Sequence, residues 1–192
     1  FGLQPNQYIT DNSGATTKYY SWINSAQTGI YFLNVVDNAT TWTLLRGTVD
    51  TATHGSWDAD HQPWKRPMSF AVDPNNTNVL WLTDMEHKTF QSGATGIWKS
   101  IDNGATWKFM QQHTVPLDIN IDPSNSNYVV VAGSVTWRNG GMQVTKDGGE
   151  TWTQDERPQL QNNGHSVSFD PQHPDKIIYG YSGGGMLYGD KL

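Results

Sequence analysis

The densest run of reactive side chains lies between Arg46 and Pro67, where His54, Trp57, Asp58, Asp60, His61, Trp64, Lys65 and Arg66 stand close together. Two indoles among acids and bases suit a sugar, because flat rings stack on the apolar face of a pyranose while charged groups bind its hydroxyls. Asp58 and Asp60 are also candidates for glycosidic hydrolysis, which needs two carboxyl groups about 5–9 Å apart depending on stereochemistry. His54, Asp58, Asp60 and His61 have the right types to ligate a divalent ion, but no recognised ligand spacing joins them, so no metal or cofactor is assigned. The structural alternative is an Ω-loop pinned by its tryptophans. The chain has no cysteine, which excludes disulfides, thiol catalysis and thiolate metal sites.

Alternation supplies a further acid. In Leu117-Asp118-Ile119-Asn120-Ile121 the aliphatic residues take one strand face and Asp118 and Asn120 the other. Such an acid is a general acid or base if its surroundings raise its pKa, and otherwise a binder of water or backbone. His165, at the start of the next comparable strand, is its nearest expected neighbour of chemical interest.

The elements that must hold these residues are strands. Short alternating runs such as Met68–Val72, Leu117–Ile121 and Val167–Phe169 lie between Gly, Pro, Asn and Ser, and no stretch has helical periodicity over ten or more residues. The runs repeat. Asp73-Pro74, Asp122-Pro123 and Asp170-Pro171 each close a strand, 49 and then 48 residues apart. A second strand follows each (Val79–Leu82, Tyr128–Val131, Ile177–Tyr179), then a third opening Gly96-Ile97, Gly141-Met142 or Gly185-Met186. A fourth begins Thr106-Trp107 or Thr151-Trp152, and a worn first unit keeps Asp11, Gly29-Ile30 and Thr41-Trp42. A four-stranded meander repeated every ~45 residues is the signature of a β-propeller blade.

Ser100-Ile101-Asp102-Asn103-Gly104-Ala105-Thr106-Trp107 and Thr145-Lys146-Asp147-Gly148-Gly149-Glu150-Thr151-Trp152 both match the pattern Ser/Thr-x-Asp-x-Gly-x-Thr-Trp, and Asp37–Trp42 keeps it with Ala39 in place of Gly. By these motifs the chain resembles the Asp-box (BNR-repeat) propellers over nearly its whole length. The turn has a local rationale: Asp accepts backbone N–H bonds, Gly supplies positive φ, hydroxyls tie the loop, and the indole packs between blades. The expected fold is all-β, an Asp-box propeller with about four blades of four-stranded antiparallel sheet, at 7–46, 68–111, 117–156 and 165–192, and a loop insertion at 46–67. The family's usual blade number implies that residues 1–192 belong to a larger propeller, completed by a second chain or a missing segment.

In a propeller, second-to-third and fourth-to-first connections share one end. That end collects five of six His, all four Arg, and Trp57, Trp64 and Trp137. The candidate catalytic residues are therefore Asp118, Asp58, Asp60 and His165, and the candidate substrate-binding residues are His54, Trp57, His61, Trp64, Arg66, Trp137 and Arg138. The resemblance implies a secreted polysaccharide-active enzyme, by hydrolysis in preference to elimination. His113 and Arg157 join the pool only for a lyase, and Asp84 and Glu86 only for a hydrolase. The alternative is a non-catalytic module binding glycan or protein through the same end. The resemblance is to the scaffold and not to the site: the Arg-Ile-Pro segment of sialidases and the Asp-Val/Ile-Gly-Gly segment of xyloglucan-active relatives are both missing. A net charge of -6 argues against nucleic acid, and a mean hydropathy of -0.62 without a long apolar run against a membrane-spanning helix.

Overall fold

The structure is a computed structural model that describes residues 67–84, 96–113, 115–134, 141–157, 163–182 and 184–192 in full, and strands at 7–10, 16–22, 29–34, 43–45 and 48–49 by their backbone. Every regular element among these residues is a β-strand. Sheet I consists of β1 (Gln7–Thr10), β2 (Thr16–Trp22), β3 (Gly29–Asn34) and β4 (Thr43–Leu45). A two-residue strand, β5 (Thr48–Val49), precedes sheet II, made of β6 (Pro67–Val72), β7 (Leu80–Asp84), β8 (Gly96–Ser100) and β9 (Thr106–Gln112). Sheet III contains β10 (Pro116–Asp122), β11 (Asn125–Gly133), β12 (Gln143–Thr145) and β13 (Thr153–Gln154). Sheet IV contains β14 (Gly164–Phe169), β15 (Lys176–Tyr181) and β16 (Gly185–Asp190). Each sheet is an antiparallel meander in sequence order.

The start of the expected insertion is not loop. Thr48 and Val49 pair in parallel with Thr106 and Trp107, laying β5 along the outer edge of β9. An outer strand leaves a row of unpaired backbone groups, and β5 covers part of that row.

Alternation puts apolar side chains on both faces of the central sheets, so the sheets pack face to face. Ala71, Trp81 and Ile97 of sheet II meet Ile119, Ile121, Val129 and Val131 of sheet III. On the other face of sheet III, Tyr128, Val130, Ala132, Met142 and Val144 meet Val167, Phe169, Ile177 and Tyr179 of sheet IV. A third cluster, on the opposite face of sheet II, holds Phe70, Val72, Leu80, Leu82, Trp98 and Trp107. Packing therefore runs I on II, II on III and III on IV, with the first strand of each sheet against the first strand of the next.

The two Asp turns share one geometry. Asp102 Oδ1 accepts from Ser100 Oγ and Thr106 N, both at 2.8 Å, while Thr106 Oγ1 donates to Oδ2 at 2.6 Å. Asp147 repeats this with Thr145 and Thr151. Hydrogen bonds from the Thr151 side chain, its backbone N–H and Thr145 hold the Asp147 carboxyl far below the usual carboxylate range. Gly104 and Gly149 take φ of 85° and 103°, a region L side chains disfavour. Each indole donates Nε1–H to that glycine's carbonyl at 3.1 Å. Trp152 then meets Trp81 of sheet II edge-on, with centroids 5.9 Å apart.

Candidate functional site at the inner strands

The first strands of sheets II, III and IV carry a register shift at one repeat position, between Pro67 and Ser69, Pro116 and Asp118, and Gly164 and Ser166. A bulge bends the strand and re-aims the side chain that follows it. Asp118 follows such a bulge, and its carboxylate spans three sheets. Oδ1 accepts from Ser69 Oγ of sheet II at 2.8 Å and from Ile119 N at 3.0 Å, and Oδ2 accepts from Val167 N of sheet IV at 3.0 Å. Asn120 Nδ2 donates to Val167 O at 3.3 Å. Together Asp118 and Asn120 satisfy both backbone groups of Val167 on the free edge of β14. Burial pushes the Asp118 pKa up, and the three hydrogen bonds to the ionised form oppose it without cancelling it.

His165 is the bulge residue of β14 and its side chain is exposed. It lies on the strand that reaches Asp118 through Val167, two residues away. Asp58, Asp60, His54, Trp57, His61, Trp64, Arg66, Trp137 and Arg138 lie outside the described residues, as does Glu86.

Two further candidates are committed elsewhere. His113 is fully buried, with Nε2 3.1 Å from Gly141 O and Nδ1 accepting from Val115 N at 3.3 Å. Those partners make Nε2 the protonated nitrogen, and burial drives its pKa down to about 4. A ring so placed does not face a substrate, so the lyase role considered for it is corrected. Arg157 grips the fully buried Asp155 through Nε and Nη2 and donates from Nη1 to Asp190 O at 3.1 Å. Asp84, also fully buried, accepts Trp98 Nε1–H at 3.1 Å.

The sequence reading missed the ties from sheet to sheet. Asp73 Oδ1 accepts from Ser126 Oγ at 2.8 Å, Lys99 Nζ donates to Gly148 O at 2.8 Å, and Lys191 pairs with Asp122. The available signal was spacing, since Ser69, Asp118 and Val167 stand 49 residues apart, one repeat each way. A cavity of about 250 Å³ between sheets III and IV is lined by Arg157, Tyr179, Leu187 and Asp190 among others. Among the described residues no group of three or more His, Cys, Asp or Glu is placed to hold a metal ion. No helix there is long and apolar enough to cross a membrane.

Meanders of about 45 residues, packed in chain order with their first strands adjacent, are the blades of a known architecture. The chain is similar to a GH74 enzyme from Niastella koreensis, at 19% identity and a TM-score of 0.66, over 99% of this chain and 29% of that one. It is similar to the GH74 xyloglucanase of Xanthomonas campestris at 15% identity and a TM-score of 0.64, over 97% of this chain and 31% of that one. The fold is a β-propeller. YCF48 from Cyanidioschyzon merolae also superposes, with 16% identity, a TM-score of 0.55, 98% of this chain and 50% of that one. The propeller chain thus spans under a third of each GH74 protein and half of YCF48. No family model matches the sequence, and no curated protein matches it.

Proposed function

We propose that this chain is an Asp-box propeller portion that acts on polysaccharide at the loop end of its blades, in a secreted protein. One observation carries the reading: nearly the whole chain superposes on GH74 enzymes, one of them a xyloglucanase. The residue types at the loop end support it. In this reading Trp57, Trp64 and Trp137 stack on sugar rings, and His54, His61, Arg66 and Arg138 bind hydroxyls. Asp118 handles the proton with His165 beside it, and Asp58 or Asp60 is the second carboxylate. Glycoside hydrolysis is favoured over elimination, because His113 and Arg157, the two residues that join the pool only for a lyase, are committed to internal partners.

A second reading, a non-catalytic module binding glycan at the same end, draws on Asp118 itself. Both its oxygens already serve protein donors. Incubation with a panel of neutral and acidic polysaccharides separates the readings. New reducing ends mean hydrolysis, an ultraviolet-absorbing double bond means elimination, and retention without products means binding. Asp118→Asn then tests the residue. The hydrolase reading expects activity to fall far more than the melting temperature, whereas full activity clears Asp118 of a chemical role.

A further inference from the structure

Four residues before the closing acids of sheets II, III and IV stand Ser69, Asp118 and Ser166. The residue opposite each, on the second strand of its sheet, is Thr83, Ala132 or Gly180. Glycine at 180 leaves room for the serine beside it, since a Cβ there would stand 2.4 Å from Ser166 Oγ. Thr83 denies Ser69 that room. Its side chain is fully buried and grips the Ser69 backbone: Thr83 Oγ1 accepts from Ser69 N at 3.0 Å and donates to Ser69 O at 3.2 Å. The Ser69 hydroxyl reaches into the next sheet instead, to Asp118 Oδ1 at 2.8 Å. Of the three sheets, the one that precedes the acid is the one with a hydroxyl pair at this position.

The two oxygens of Asp118 are thereby made unequal. A carboxylate oxygen offers about two lone-pair sites. Oδ1 accepts from Ser69 Oγ and Ile119 N, which takes both. Oδ2 accepts from Val167 N among the described residues, which leaves one open on a half-buried residue. Ser69 is also the one partner able to accept a proton as well as give one, because the N–H groups of Ile119 and Val167 only donate. Among the described residues no charged side chain bears on the carboxyl, and burial with the three hydrogen bonds accounts for its raised pKa. On the strands packed against β10, Asp84 accepts from Trp98, Tyr128 is bonded to Leu192, His165 is exposed, and β6 has no titratable residue. Asp122, on β10 itself, pairs with Lys191.

We propose that Ser69 is a positioning residue for Asp118, taken as the proton-handling group of the function proposed above: with Ile119 N–H the Ser69 hydroxyl fills Oδ1, so that Asp118 carries its proton on Oδ2, the oxygen with a site left for a sugar oxygen. When that proton leaves, the charge on Oδ2 meets Val167 N–H already in place, a donor set before the reaction begins. Thr83 acts one step further back, by keeping the serine hydroxyl turned toward the acid.

The test follows the Asp118 carboxyl itself, by carbon-13 NMR titration of the 192-residue chain, with the resonance assigned from Asp118→Asn. Ser69→Ala removes a donor to the ionised form, so the titration midpoint should rise by about one pH unit, as loss of a hydrogen bond to a charged group gives. Ser69→Thr keeps the hydroxyl and should restore the wild-type midpoint. The control Ser166→Ala, at the same repeat position with its hydroxyl over Gly180, should leave it unchanged. Circular dichroism and melting confirm that the variants fold. A midpoint that falls in Ser69→Ala would mean that the hydroxyl accepts a proton from Oδ1, and an unmoved one that it does not govern the carboxyl; either overturns the proposal. On a polysaccharide that the wild type cleaves, Ser69→Ala should lower kcat about 10-fold with KM little changed. The limb of its pH profile that Asp118 sets should move upward with the midpoint, and Ser69→Thr should restore both. A profile that stays in place while the carboxyl shifts overturns the role of Ser69 in the reaction. A wild type that cleaves nothing in the panel overturns the enzymatic reading, and with it that role, while the midpoints still decide which oxygen holds the proton.

Discussion

Acidifying the protein from pH 7 to pH 5 should cost it stability through one residue. His113 is neutral in the fold, with burial holding its pKa down to about 4 against an ordinary 6.5. In the unfolded chain it takes up a proton near 6.5. Between those values the unfolded state binds more protons than the native one, so stability falls as pH falls. Each unit is worth about 1.36 kcal/mol, which makes the loss about 2 kcal/mol at pH 5 and about 3 kcal/mol near pH 4. The interval from 6.5 to 5 is the informative one, because carboxylates are still ionised there. The assay is urea unfolding at a series of pH values for wild type and His113→Gln. The substitution lowers stability throughout, but it should also abolish this slope. Parallel slopes in the two proteins over that interval, or an imidazole resonance for His113 titrating above pH 5, would refute the assignment.

Trp107→Ala should lower stability by about 3–5 kcal/mol in chemical denaturation, since the indole is 1% exposed within an apolar cluster; an unchanged melting temperature would remove the structural reading of the Asp turn. Gly164→Ala should cost about 1–3 kcal/mol, because a Cβ there falls 1.9 Å from the hydroxyl of the fully buried Tyr179. Far-ultraviolet melting checks it. Asp147→Ala leaves Thr145 Oγ1, Thr151 N and Thr151 Oγ1 without their acceptor. Its melting temperature should drop, and the part of the wild-type acid sensitivity that comes from a depressed carboxyl pKa, expressed below the ordinary value of 3.8, should disappear with it.

The strands were legible because period-two alternation and turn residues are local signals, and spacing of the closing acids made each unit confirm the next. The Asp turns were legible for the same reason, since all their partners lie within a few residues. Asp118 was legible as an acid on the strand face opposite Ile119 and Ile121 but not as a bond between sheets, because Ser69 and Val167 reach it only once the sheets pack. His113 was grouped with the reactive loop residues by its type and its place in a connection between blades. Its burial depends on close backbone approach: a Cβ on Gly133 would lie 2.4 Å from His113 Cε1. Nor did β5 show in the sequence, since two residues carry no period and their pairing is set by the edge of β9.

Among the described residues, the ties between sheets reach one unit along the chain and no further: Ser69 to Asp118, Lys99 to Gly148, Asp118 to Val167, Asp122 to Lys191. Coupling of that kind is nearest-neighbour, as in a one-dimensional array. Folding has short loops to close, and a nucleus formed at any junction can propagate outward by adding one unit at a time. Damage should stay equally local. A lesion between sheets II and III would lower amide protection in those two units first, and sheet IV would feel it only through sheet III. Hydrogen exchange in a damaged variant would then read as a gradient along the sequence, steepest at the broken junction, instead of one uniform opening.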